Sequence, residues 1–231
     1  MKKITLLILV FILSTKLFAQ IEPLDTDGNG YRNITSLDHI LWITENTNSW
    51  SYNYELDNNI NAAETINWND GEGWLPIGRT VGINQINFTG KFNGKNNSIQ
   101  NLYINRPYSW SVGFFGIVNN SEIINLNLID VSISGGPNTG SLIGNSGNSK
   151  IDNITVSGQV VSASTRTGGL IGYLTGGIMH NLKSNVNVSG TWATGGLIGY
   201  MTNSTTNQAF LFHSYSEGTV QGVNHVGGLC G

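Results

Sequence analysis

Five glycine-bracketed apolar tetrapeptides recur along the second half of this chain. They are Gly113-Phe114-Phe115-Gly116, Ser141-Leu142-Ile143-Gly144 behind Gly140, Gly169-Leu170-Ile171-Gly172, Gly196-Leu197-Ile198-Gly199 and Gly228-Leu229-Cys230-Gly231. Successive closing glycines are 28, 28, 27 and 32 residues apart. A fixed period of about 20–50 residues marks an array in which each unit buries its apolar face against its neighbours. A chain built this way folds as a stack, and its function must lie on the outside of that stack.

The repeat extends beyond the tetrapeptide. Nine residues after Gly116, Gly144 and Gly172 stand Asn125, Asn153 and Asn181, each followed by Leu or Ile and preceded two positions earlier by Ile or Met. In the fourth unit His213 takes this place, because the distances onward to the next closing glycine are 19, 19, 18 and 18 residues. The surplus residues of that unit therefore fall between Met201 and Phe210, in a polar run that reads as a loop pushed out of one turn. Asparagine at like positions suits either a stacked amide ladder or a set of left-handed turn residues.

Composition selects the kind of stack. Charged residues are only 11% of the chain and glycine supplies 30 of 231 residues, which excludes a helical array rich in Ala, Leu, Glu and Lys. Short alternating runs such as Ile123-Ile124-Asn125-Leu126-Asn127-Leu128 and Asn185-Val186-Asn187-Val188 read instead as strands. The expectation is an all-β chain: a parallel β-solenoid of about 28-residue rungs with an N-terminal capping segment containing one short helix. The tetrapeptide glycines are expected to let the chain bend while the pair between them points inward.

Three regions follow. Residues 1–19, a basic start and an apolar run ending near Ala19, read as a secretory signal peptide. Residues 20–107 form a cap or leader, with Ser36 capping a helix whose apolar face holds Leu37, Ile40 and Leu41. There Trp42, Trp50, Trp68 and Trp74 are read as packing rather than as a sugar platform. Residues 108–231 form the solenoid, which stops on Gly231 and is expected to belong to something longer. Cys230 is the sole cysteine, so no internal disulfide is available, and it takes a position held elsewhere by Ile or Phe.

Candidate chemistry is sparse. Asp25, Asp27 and Asn29 have the alternate spacing of a calcium-loop opening, but Ser36 stands at the twelfth position where an EF-hand needs Glu; a plain polar turn is the preferred reading beside the calcium one. His180 and His213 fall near each other in successive rungs, with no further metal ligand expected in register. Glycoside hydrolysis would need two carboxylates about 5–10 Å apart. Counted from the asparagine position, Glu122, Asp130, Asp152 and Glu217 sit at −3, +5, −1 and +4, so no two are expected in one column. Asp70 and Glu72 are close in sequence on a turn expected to be solvated. No Gly-x-Ser-x-Gly or His-Glu-x-x-His occurs. The net charge of −3 and the absence of a basic stripe exclude nucleic-acid and anionic-lipid partners. Tyr103, Tyr108, Trp110, Tyr173, Trp192 and Tyr200 could serve an extracellular glycan or protein ligand, and Tyr173 and Tyr200 share one repeat position, where they could stack as a ladder but covering a corner is the preferred reading.

These motifs resemble the GLUG repeats of secreted bacterial proteins, and the blocks Trp68-Asn69-Asp70-Gly71-Glu72-Gly73-Trp74-Leu75-Pro76-Ile77-Gly78, Phe88-Thr89-Gly90-Lys91-Phe92-Asn93-Gly94 and Ile99-Gln100-Asn101-Leu102-Tyr103-Ile104-Asn105-Arg106-Pro107 resemble the leader that accompanies them. The resemblance implies an adhesin-like exported surface protein, or the non-catalytic part of a bacterial peptidase that cleaves immunoglobulin A. It carries over no catalytic residues. A polysaccharide-active β-helix enzyme is the remaining alternative, and the localisation expected is secreted or cell-surface.

Overall fold

The structure, a computed structural model, describes residues 20–203 and 206–231; the expected signal segment lies outside the described residues. The chain is a parallel β-solenoid of about five turns with rungs of roughly 28 residues. The strands Glu122–Gly135, Ile143–Ser162 and Ile171–Ser189 lie parallel, one above the next. The pairing joins residues one repeat apart: Ile123 with Ile151 and then Met179, and Ile143 with Ile171 and then Ile198. A second sheet of three parallel strands, Thr165–Gly168, Trp192–Gly195 and Asn224–Gly227, closes another side.

Each rung sends its apolar pair inward. Leu142, Leu170 and Leu197 form one buried column and Ile143, Ile171 and Ile198 another. In the first copy the pair is Phe114-Phe115, because there the interior meets aromatic residues from the preceding segment: Trp74 stacks on Phe114 with centroids 5.3 Å apart, and Phe88 meets Phe115 at 4.9 Å. Trp50, Trp68 and Trp74 are buried and Trp42 packs against the core, as packing residues should.

The closing glycines act by close approach rather than by bending. None of Gly116, Gly144, Gly172, Gly199 and Gly231 has the left-handed φ that a glycine bend would require. Instead, a Cβ on Gly172 would lie 2.5 Å from Asn138 C and Thr139 N, and one on Gly199 would lie 2.6 Å from Thr167 N. A side chain at these positions would collide with the backbone of the preceding turn, so the repeat keeps glycine there.

The segment read as a leader is itself woven into the stack. Arg32–Ile34 pairs with Tyr54–Leu56, which pairs with Lys91–Asn93, which pairs with Glu122–Gly135. Ser98–Gln100 and Tyr103–Arg106 complete the rung beneath. The helix Leu37–Glu45 forms where expected, and the Ser36 hydroxyl accepts from His39 N. Its fully buried face is Ile40, Ile43 and Thr44, while Leu37 and Leu41 are only partly covered, because Trp50 Nε1 docks on Ile43 O and Thr44 Oγ1 donates to Leu75 O. Strand Ile198–Thr202 ends and strand Ala209–Phe212 begins on either side of the polar run that the sequence reads as a loop. No helix among the described residues is long and apolar enough to cross a membrane.

Candidate functional site

Stacking turns like positions into vertical columns, and three kinds of polar column result. In the first, Asn125, Asn153 and Asn181 link by side-chain amides: Asn153 Nδ2 donates to Asn125 Oδ1 at 2.8 Å and Asn181 Nδ2 to Asn153 Oδ1 at 2.9 Å. The same residues, with His213, have φ between 48° and 56°. Ladder and left-handed turn are therefore one structure, since a short amide both tolerates this backbone and reaches its neighbour.

The second kind joins carboxylates to basic side chains. Glu122 lies between Lys150, at 2.8 Å, and Lys91, at 3.4 Å. The Lys150 hydrogen bond, helped by Lys91 and opposed by partial burial, holds the Glu122 carboxyl below its ordinary range. His180 Nδ1 lies 2.8 Å from Asp152 Oδ1, and its ring meets His213 edge-on at 5.2 Å. Asp152 thus does stand in register with His180, contrary to the expectation that no further ligand would. Asp152 and His180 share the register one place before the asparagine ladder, so the pair was there to be read. Even so, no group of three His, Cys, Asp or Glu among the described residues is arranged to hold a metal ion.

A bulge corrects the acid count. Between Leu128 and Val131 the register shifts by one, and Asp130 N donates to Ser157 Oγ. Asp130 thereby enters the column of Ser157 and Asn185, in which Glu217 also falls, its N–H bonding Ser184 O. The two acids stand three rungs apart, about 14 Å at strand spacing. That exceeds the roughly 5–10 Å over which a carboxylate pair hydrolyses a glycosidic bond.

The third column is aromatic. Tyr173 and Tyr200 stack with centroids 5.9 Å apart, the Arg166 guanidinium sits 4.4 Å over the first and 5.5 Å over the second, and Trp192 approaches Tyr200 at 5.7 Å and His225 at 5.2 Å. These side chains are half-buried, His225 more exposed, so the ladder both covers a corner and presents ring edges to solvent. Arg166 is absent from the sequence-based candidates because no repeated residue type marks its position.

The remaining candidates resolve locally. Asp25 accepts from Gly28 N and Gly30 N, Asp27 from Asn29 N, and Asn29 Oδ1 from Tyr31 N. These oxygens close turns on the backbone, the arrangement of a polar turn. Glu72 does not lie free on its turn: its carboxylate accepts from Arg106 Nη1 at 2.7 Å, while Asp70 occupies a left-handed position with φ 54°. Cys230 pairs with Ile198 in the Ile column, half-buried, and burial pushes its thiol up, away from nucleophilic use.

A cleft of about 400 Å³ lies where the leader joins the repeats, lined by Arg79, Thr80 and Arg106 on one side and Ser109, Trp110 and Ser111 on the other. Arg79 opens the hairpin of Arg79–Val81 and Asn84–Ile86. Its Nη1 donates to Thr44 O, Thr44 Oγ1 and Pro76 O, and its guanidinium lies 5.0 Å from the Trp50 ring centroid. Burial pushes both arginines below their ordinary range, opposed by Glu45 and, for Arg106, Glu72.

No protein-family profile matches the chain. It is similar to halomucin of Haloquadratum walsbyi, 36% identical over 106 residues, a match covering 46% of this chain and 1% of halomucin. Its fold is similar to that of a Bacteroides ovatus protein provisionally named an immunoglobulin A1 protease, with a TM-score of 0.69 at 18% identity, covering 87% of this chain and 61% of that one. The chain thus spans less than two thirds of either relative.

Proposed function

We propose that this chain is a non-catalytic exported repeat module of the GLUG type, a surface stalk or adhesin-like element that binds glycan or protein ligands along its side. The observation that carries this reading is the corner column of Arg166, Tyr173, Tyr200 and Trp192, a set of rings held at strand spacing on a rigid frame. Rings fixed this way lose little conformational freedom on binding, which favours many weak contacts with an extended ligand. The similarity to halomucin supports export and the use of repeats at a surface. Against catalysis stands the placement of the repeat acids, Glu122 and Asp152 each engaged by a neighbouring side chain and the other two about three rungs apart.

The test is binding of the full chain to a glycan array and to intact cells, with Tyr200→Ala and Trp192→Ala as variants. Retention that falls several-fold in both variants supports the module. Release of reducing sugar from the same array, lost on changing Asp130 or Glu217, would replace it with the polysaccharide-active reading.

The likeness to the Bacteroides ovatus protein favours a second reading, the non-catalytic arm of a larger peptidase. It requires a His-Glu-x-x-His sequence elsewhere in the parent reading frame, which sequencing the gene settles.

A further inference from the structure

Arg79 is a half-buried cation for which no carboxylate lies within ion-pairing distance among the described residues. Its three recorded hydrogen bonds all leave from Nη1 and end on neutral oxygens. The Nε and Nη2 edge, which forms the two-pronged fork that grips a carboxylate, has no hydrogen-bond partner among the described residues, and Arg79 lines the cleft. Arg106, on the same cleft, is 9% exposed and fully engaged: Nη1 with Glu72, Nε with Trp74 O and Nη2 with Gly73 O. It adds positive potential without competing for a ligand. Desolvating a guanidinium without a paired carboxylate is costly, and Glu45 acts on Arg79 only through space, so the cleft holds a cation with room for an incoming anion.

The rest of the lining says what else the anion carries. Trp110 is 72% exposed and Tyr108, two residues before it, is 95% exposed, a degree of aromatic exposure that folding does not favour. A free indole face suits the C–H face of a pyranose ring. Thr80, Ser109 and Ser111 offer hydroxyls that both donate and accept, as sugar hydroxyls require. The cleft volume of about 400 Å³ falls in the range of about 300–1,000 Å³ typical of small-molecule sites. The other arginine-lined hollow, around Arg32 and Tyr52, differs in that Arg32 already pairs with Glu22 at 2.7 Å.

We propose that the cleft between the Arg79–Val81 strand and the Ser109–Ser111 segment binds an acidic sugar, its carboxylate on the Arg79 fork and its ring against Trp110. This rests on the glycan-binding reading above but uses a different surface from the aromatic corner.

Calorimetric titration of the full chain with glucuronic acid and N-acetylneuraminic acid, against glucose as the uncharged control, tests it. At least one acid should saturate, and glucose should bind tenfold or more weakly. Trp110→Ala, at an exposed ring, should weaken the acid at least tenfold with an unchanged melting temperature. Arg79→Lys keeps the charge but not the fork and should weaken it similarly, with a thermal melt run alongside because Arg79 also ties Thr44 to Pro76. Equal binding of glucose, indifference to Trp110→Ala, or saturation only by a peptide with a free carboxylate would overturn the proposal. Silence of both acids while Tyr200→Ala still abolishes array binding would sink the cleft and leave the module reading standing.

Discussion

Asn153 Nδ2 donates to Asn125 Oδ1 at 2.8 Å although 28 residues separate them in sequence, and Asn153 is itself held by Asn181 from the rung above. Its φ of 54° is one that alanine adopts at a cost of about 1–2 kcal/mol. Replacing it by alanine removes three hydrogen bonds, those it donates to Asn125 Oδ1 and Asn96 Oδ1 and the one it accepts from Asn181, about 0.5–1.5 kcal/mol each. Asn153→Ala should therefore lower stability by about 2.5–6.5 kcal/mol, and Asn153→Gly, which accepts the backbone but not the ladder, by clearly less. Denaturant unfolding of the two variants separates the contributions, and equal losses would mean that φ contributes nothing.

The closing glycines make a sharper contrast. Gly172→Ala drives a Cβ into the Asn138–Thr139 backbone at 2.5 Å, where no side chain can yield, whereas a Cβ on Gly228 meets nothing within 4 Å at a permissive φ. Overpacking of this kind costs about 1–3 kcal/mol or more. The Gly228→Ala change should stay within about 0.5 kcal/mol of the parent. Thermal melts of both variants check the difference.

Of the left-handed columns that run up this stack, two bear on its side-chain chemistry, and only one of those was legible. Asn125, Asn153 and Asn181 repeat a residue type, so counting found them and the His213 that replaces them. Ser111, Asn138, Arg166, Ala193 and His225 share the same backbone conformation, with φ of 49° to 63°, yet share no side-chain chemistry. The first four pass over a closing glycine, Gly144, Gly172, Gly199 and Gly231 in turn, which constrains backbone shape rather than side-chain type. Arg166 could therefore become the cation of the aromatic corner without any sequence signal. The Arg79 cleft was hidden for another reason: its two walls are 30 residues apart and outside the period. The rung length, the inward Leu-Ile pairs and the Tyr173–Tyr200 stack were readable because period alone sets them.

Glu122 gives the stack a pH dependence of definite sign. Hydrogen bonding from Lys150, then the charges of Lys150 and Lys91, depress its folded pKa below the unfolded carboxyl value. The contribution is complete above the unfolded value, about 4.3, and is lost as pH falls through the lower folded value. Both lysines are about half exposed, so the network is worth only about 1 kcal/mol or less. Unfolding midpoints measured downward from neutral pH should fall less steeply in Lys150→Met than in the parent, and the difference should shrink in about 1 M salt.

Inside the second sheet, Thr139, Thr167 and Thr194 form a column with no exposed surface, paired rung to rung. Thr139 Oγ1 reaches Gly136 O, but Thr167 Oγ1 and Thr194 Oγ1 have no hydrogen-bond partner among the described residues. A buried hydroxyl without a partner costs about 1–3 kcal/mol relative to one that is satisfied. The next residue in register with Thr194 is Val226, 47% exposed in the last strand, which carries a methyl group in place of the hydroxyl. Thr194→Val should accordingly raise stability by about 1 kcal/mol, seen as a higher unfolding midpoint. Thr139→Val, which removes one of the two hydroxyl donors to Gly136 O and leaves it only Ser162 Oγ at 2.9 Å, should lower it. If both changes moved the midpoint the same way, hydroxyl satisfaction would not govern this column, and the valine at 226 would need another cause.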